Sequence, residues 1–150
     1  MRRHWLFAIG LALAAHAEAD EAALITGLAP DIRPDVVEEA VAAMKCAQTR
    51  GIGTDAERLA IIDYTIPSRE QRMWVIDMEA GRLLFEEHVA HGQGSGHDIP
   101  TAFSDIEGSR QTSLGLFLTD KTYQGGNGYS LKLHGLSKGF NESAMRRYIV

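Results

Sequence analysis

The chain has 150 residues, with 15 basic against 20 acidic side chains, a formal net charge of −5 and a single cysteine, Cys46. That balance, with no basic run anywhere, argues against nucleic acid and anionic membrane surfaces as partners. One cysteine cannot staple the chain to itself, so stability has to come from an ordinary core, and the length suits one domain.

Residues 1–19 read as a secretory signal peptide. Arg2 and Arg3 precede an apolar run from Trp5 to Ala15, and Ala15, Ala17 and Ala19 supply the small residues of a cleavage site before Asp20-Glu21. The run of about eleven residues is shorter than the roughly 20 that a membrane anchor needs. An exported product with no stable membrane insertion is therefore expected, its net charge moved from −5 to about −6 by loss of Arg2, Arg3 and Glu18. An uncut anchor and twin-arginine export are the alternatives.

From Pro34 to Gln48, Val37, Ala40, Val41 and Met44 recur at helical spacing, with Pro34 near the first turn and Gly51 just past the end. A short amphipathic helix is predicted there, within a helical segment over 20–57. Cys46 lies off the apolar stripe with no base evident beside it, and reads as a free thiol.

Beyond a polar turn, residues 58–150 take on the character of a sheet domain. Strands are expected over 59–66, stopped by Pro67-Ser68, then over 72–78 and 82–89, the last two joined by Glu79-Ala80-Gly81. Met73-Trp74-Val75-Ile76 is apolar on both faces, as a central strand buried on both sides would be. The segment His91-Gly92-Gln93-Gly94-Ser95-Gly96 opens a loop running to about Ser113, too long and too rich in Gly and Ser for a plain connection, so it should be functional. A strand over 114–119, a tight turn at Gly125-Gly126-Asn127-Gly128 and a strand over 129–133 form a predicted hairpin. Asn141 is expected to cap a turn or helix over 142–146, and Arg147 to Val150 to enter the core as a strand. The fold class is mainly β with an N-terminal α-helix.

Reactive groups are few. His88, His91, His97 and Asp98 lie close in sequence, but a strand ending at Val89 would turn His88 and His91 in different directions, so no metal site is expected. Gly94-Ser95-Gly96 has no helix after it to make a nucleophile elbow. Neither glycine-rich run leads into a helix N-terminus, so nucleotide phosphate has no cradle and no cofactor is implied.

Taken together, Ile62-Asp63-Tyr64, Arg72 to Asp77, Val89 to Gly96, Ala102-Phe103-Ser104, Thr112 to Gly115, Tyr123, Gly128 to Leu133, Gly135-Leu136 and Gly139-Phe140-Asn141 resemble, in order, the front of the murein L,D-transpeptidase (YkuD-like) catalytic domain. The likeness runs from Asp63 to Val150 and leaves the helix from Pro34 as an addition. It implies a β-sandwich or barrel-like fold whose cysteine attacks a peptide carbonyl with help from a histidine and oxyanion-holding N–H groups. It further implies peptidoglycan stem peptides as partners, and the periplasm or cell-wall space as the location. The family's catalytic histidine follows an Ile-Val type strand and its cysteine an S-x-G motif. The matching strand is Ile149-Val150, so no residue here is expected to be catalytic, and the domain is expected to be incomplete at its C-terminus and inactive. His91, with Gly92, Ser95 and Gly96, is left a substrate-side or structural role. A domain lacking its end should leave Trp74, Ile76 and Phe117 short of contacts and an apolar edge open near Tyr148 to Val150. A non-catalytic exported module that binds peptidoglycan or a partner, and a pseudogene fragment, are the alternatives.

Overall fold

The computed structural model describes residues 8–126 and 128–150, with side chains from Ala17 onward. The paired arginines and Trp5 of the expected leader, and Asn127 of the hairpin turn, lie outside the described residues. Helix α1 (Ala8–Leu28) runs without a break through both expected cleavage sites. Among the described residues no helix is long and apolar enough to cross a membrane. The chain divides into two compact units, one reaching to Ile61 and taking in Trp74–Phe85, the other made of Ile62–Met73 and Glu86–Val150.

In the first unit, helix α2 (Pro34–Gln48) has the predicted bounds, with proline in its first turn followed by Asp35. The Arg33 guanidinium, hydrogen-bonded to Asp35, holds that carboxyl below its usual range. Lys45, in the last turn, suits the negative end of the helix dipole and pairs with Glu21 of α1. The helix closes in a Schellman motif. Gly51, at φ 76°, donates to the Gln48 carbonyl at 2.9 Å, and Ile52 donates to Ala47 at 3.1 Å. Val37, Val41 and Ala47 form the buried stripe, and Ile25, Ala29, Ile32, Leu59, Ile61, Trp74 and Ile76 complete an apolar interior.

Strands β1 (Arg58–Ile62), β2 (Met73–Asp77) and β3 (Arg82–Glu87) form one sheet in the order β1-β2-β3, so the apolar Met73 to Ile76 run is central, as expected. Its burial alternates, however. Trp74 and Ile76 are buried while Met73, Val75 and Asp77 are half-buried. The expected shortage of contacts at Trp74 and Ile76 is corrected by their exposures of 1% and 0%. All three strands are shorter than predicted. β1 stops at Ile62 because the Asp63 carboxylate turns the chain, accepting from the Thr65 N–H at 2.8 Å and its hydroxyl at 2.6 Å. β3 stops at Glu87, and two residues on the Val89 carbonyl is taken by the Arg72 side chain. Between β2 and β3 the Asp77 carboxylate accepts from the Ala80 N–H at 2.8 Å.

In the second unit, β4 (Phe117–Gly125) and β5 (Gly128–Gly135) make the expected antiparallel hairpin, in register from Phe117↔Gly135 to Gly125↔Gly128, with an irregularity between Thr119 and Thr122. β4 begins three residues later than predicted. Leu116 is held instead by the Ser137 hydroxyl, which accepts its N–H at 3.0 Å, and by the Asn141 amide, which donates to its carbonyl at 2.9 Å. Asn141 is therefore not the cap of the turn after it. Fully buried, it joins two segments, its Oδ1 accepting the Ser137 N–H at 2.8 Å.

The last residues overturn the expectation of a strand over 147–150. Residues 141–148 form successive turns that end in a second Schellman closure, in which Tyr148 donates to Met145 at 3.2 Å and Ile149 to Ala144 at 3.0 Å. Tyr148 takes the left-handed position at φ 57° and is 83% exposed, so no apolar strand edge forms there.

Candidate substrate-binding cleft

The site grows from a residue at the threshold of β2. Arg72 has no exposed surface; its N–H donates to Glu87 and its carbonyl accepts from Asp63, which fixes the backbone. Its guanidinium then serves as a staple. Nε and Nη2 donate to the Val89 carbonyl at 3.1 and 2.8 Å, Nη1 donates to Ile66 at 2.9 Å, and Nη2 lies 2.8 Å from His91 Nδ1. The guanidinium carbon sits 5.0 Å from the centre of the Tyr64 ring, within cation–π range. Burial pulls the Arg72 pKa below its ordinary value, and the neighbouring Tyr64 and Asp63 act the other way. Tyr64 is half-buried against Phe103, ring centres 6.1 Å apart. Burial raises its hydroxyl above the usual range, opposed by Arg72 and by a hydrogen bond with Thr112.

Past this staple the predicted functional loop is a folded structure, not a slack connection. A 3-10 turn over Gln93–Ser95 is laid against the 110–112 segment: Gly92 N–H donates to the Thr112 hydroxyl and Gly94 N–H to the Arg110 carbonyl, both at 2.8 Å. The approach is close enough that a Cβ on Gly92 would lie 2.3 Å from the Arg110 oxygen, which excludes any other residue. Ser95 is 1% exposed; its hydroxyl accepts the Thr112 N–H at 2.8 Å and its carbonyl accepts from Thr101 and Ala102. Gly96 bridges to Pro100.

A second arginine locks the far side. The Arg147 side chain is only 4% exposed and donates to the carbonyls of Ser104 and Gln111 and to the hydroxyls of Ser109 and Ser113, with Asp105 at 3.9 Å. Asp105 in turn accepts the Ser143 N–H.

These parts enclose a cleft of about 760 Å³ lined by, among others, Tyr64, His91, Gly92, Arg110, Arg146 and Tyr148. Of the four residues given a substrate-side or structural role, the structure brings His91 and Gly92 to its wall. Ser95 and Gly96 are not among its lining residues: Ser95 is buried within the loop and Gly96 is exposed. Of the remaining members of the histidine cluster, His88 shares a smaller hollow with His91 and Ser68, its Nε2 3.0 Å from the Arg69 carbonyl, while Asp98 accepts from Ser68 and pairs with Arg69. Among the described residues no group of three His, Cys, Asp or Glu side chains could hold a metal. Cys46 is exposed on α2, in the first unit.

The sequence reading passed over Arg72, Tyr64, Thr112 and Arg147 as site residues. Arg72 carried a signal, a charge opening the apolar run from Met73 to Ile76; Arg147 carried none. Chemically, the wall offers donors and cations, His91, Arg110 and Arg146, the last softened by Glu107 at 3.6 Å. That suits an acceptor-rich, anionic ligand.

The family model described as the L,D-transpeptidase catalytic domain matches residues 28–150. The chain belongs to that family. The match begins before α2, so the family's domain takes in the helix that the resemblance from Asp63 had left as an addition. The matched residues take in α2 and all five strands, so the L,D-transpeptidase domain here is mainly β with one helix ahead of its strands. No curated protein and no solved structure matched the chain.

Proposed function

We propose that the second unit holds murein stem peptides in the cleft, and that the chain serves peptidoglycan cross-linking or remodelling in the periplasm or cell-wall space, reached by way of the N-terminal leader. The observation that carries this reading is the wall itself. Two of its donors, His91 and Arg110, are set on a loop that Arg72 and Arg147 hold by backbone carbonyls at both ends, so the loop's ordering cost is met before a ligand arrives. Stem peptides bear free carboxylates, and Arg110 and Arg146 present guanidinium forks that suit them.

Acyl transfer in this family requires a thiolate beside a base. The chain's one cysteine is Cys46, on α2. The proposal accordingly gives these residues the task of holding substrate and not that of attacking it. Purified full chain should co-sediment with murein sacculi and be released by a soluble stem tetrapeptide. Arg110→Glu, which replaces a charge-assisted hydrogen bond by repulsion, should weaken binding about tenfold or more. Sedimentation indifferent to the tetrapeptide would sink the reading. A carbapenem should leave the chain unlabelled; a covalent adduct on Cys46 would overturn the division of roles.

A further inference from the structure

The contact between Arg72 and His91 constrains more than position. A guanidinium has five N–H donors and no acceptor, so the imidazole nitrogen 2.8 Å from Arg72 Nη2 must present a lone pair. That nitrogen is Nδ1. The other N–H of the same Nη2 goes to the Val89 carbonyl, Nε and Nη1 are also engaged on carbonyls, and the side chain has no exposed surface. Arg72 therefore cannot turn away without giving up both the Val89 and the Ile66 carbonyl, each on a half-buried residue. Neutral His91 is left with its hydrogen on Nε2, and among the described residues nothing in the chain is bonded to that edge. The residue lines the cleft, and also a smaller hollow shared with Ser68 and His88, so Nε2–H is the polar group it has left to offer a ligand.

We propose that Arg72 is a positioning residue that fixes His91 as its Nε2–H tautomer, making it a hydrogen-bond donor to a carboxylate or carbonyl oxygen of the bound peptide. This rests on the murein reading for the identity of the ligand, and on geometry alone for the lock. The role differs from that of a general base, which would need a free lone pair facing the reacting group. It also explains why a charged residue is buried at the end of an apolar strand: a carbonyl-bonding lysine would supply a point charge, but not a fork that holds two carbonyls and a ring at once.

The lock is read by nitrogen-15 NMR of the full chain in mildly alkaline solution, where imidazoles are neutral. The expected result is a His91 ring with an unprotonated Nδ1 and a scalar coupling across the hydrogen bond from Arg72 Nη2. A protonated Nδ1, a ring averaging between tautomers or no such coupling overturns the proposal. Arg72→Lys should abolish the coupling and release the second tautomer. The donor is read by tetrapeptide affinity. His91→Gln, whose amide N–H can stand in for Nε2–H, should bind within about threefold of the parent, whereas His91→Phe should lose about tenfold, as for one hydrogen bond. Equal losses in the two variants overturn the donor role. Wild-type chain that shows the coupling yet binds no tetrapeptide defeats the murein reading and the donor role toward murein together, while the lock itself stands on the coupling.

Discussion

The two units have opposite interiors. In the first, the buried side chains are apolar: Ile25, Ile32, Val37, Val41, Ile61, Trp74 and Ile76 exclude water, and stability follows buried area. In the second, the fully or nearly buried side chains are mostly polar, Asp63, Arg72, Ser95, Ser113, Asn141 and Ser143, with only Pro100 and Ala144 as apolar company among the described residues. An apolar interior tolerates small losses in proportion to the volume removed. A polar one stands on every partner being present, because each group stranded in a low dielectric carries its full desolvation penalty. The second unit has thus been built for shape around a cleft more than for bulk stability.

The contrast breaks or holds on Arg147. Arg147→Met keeps the length and apolar stem but strands the carbonyls of Ser104 and Gln111, and should cost about 3 kcal/mol at about 1–3 kcal/mol per stranded group. Ile76→Val, an equally conservative change in the first unit, should cost about 1 kcal/mol. Hydrogen exchange should speed up over residues 104–113 in the arginine variant while Trp74 fluorescence, which reports on the first unit, keeps its native form. If Ile76→Val proves the more damaging, the two interiors do not differ as described.

A finer version compares the two Schellman closures. At the end of α2 the left-handed position is filled by Gly51, at no steric cost; in the last turn it is filled by Tyr148, which bears one. Substitutions should act with opposite signs. Gly51→Ala should lower stability by about 1 kcal/mol, and Tyr148→Gly should raise it by about 0.5 kcal/mol, the relief of the left-handed strain less the added freedom of glycine in the unfolded chain. Urea midpoints at unchanged slope measure both. A loss on Tyr148→Gly would show that the exposed ring does something the backbone does not reveal.

The same contrast explains what was legible. Helix α2 was read to its exact ends in residue number because its signals are local: proline at the start, an apolar stripe, glycine past the end. The central place of β2 followed from an apolar run, and the hairpin from its glycine turn. The ends of β1 and β3 were missed because they are set by side chains reaching back to the backbone, Asp63 to Thr65 and Arg72 to Val89. The final turn was read as a strand because Tyr148-Ile149-Val150 is rich in strand-forming residues, while what closes it is a left-handed tyrosine and an arginine whose acceptors lie about forty residues earlier or nearer. At the cleft, His91 and Gly92 were visible as a motif. Ser95 and Gly96 belonged to the same motif, and only the fold shows that they are not among the residues lining the cleft. The contacts of Arg72 with Val89 and His91, of Thr112 with Ser95 and of Arg147 with its acceptors span 17 residues and more, beyond any periodicity.

A remaining effect concerns the response to pH of Tyr64, half-buried beside Arg72. Burial raises the Tyr64 hydroxyl above its ordinary pKa of about 10, Arg72 and Thr112 opposing, so the folded chain holds that proton more tightly than the unfolded one. The contribution is fully present below about pH 10 and is lost as pH rises through the folded value, since the unfolded chain then releases the proton first and gains. Tyr64→Phe keeps the ring over Arg72 but loses the bond to Thr112, and should be about 1 kcal/mol less stable than the parent at pH 7. Above about pH 10 the parent alone bears the cost of a half-buried phenolate, so the gap between the two proteins should narrow. Subtracting one denaturation profile from the other removes the tyrosines they share. A gap that widens with alkalinity would mean that Arg72 wins over burial at this position, and that the polar interior of the second unit stabilises charge where its low exposure predicts that it should not.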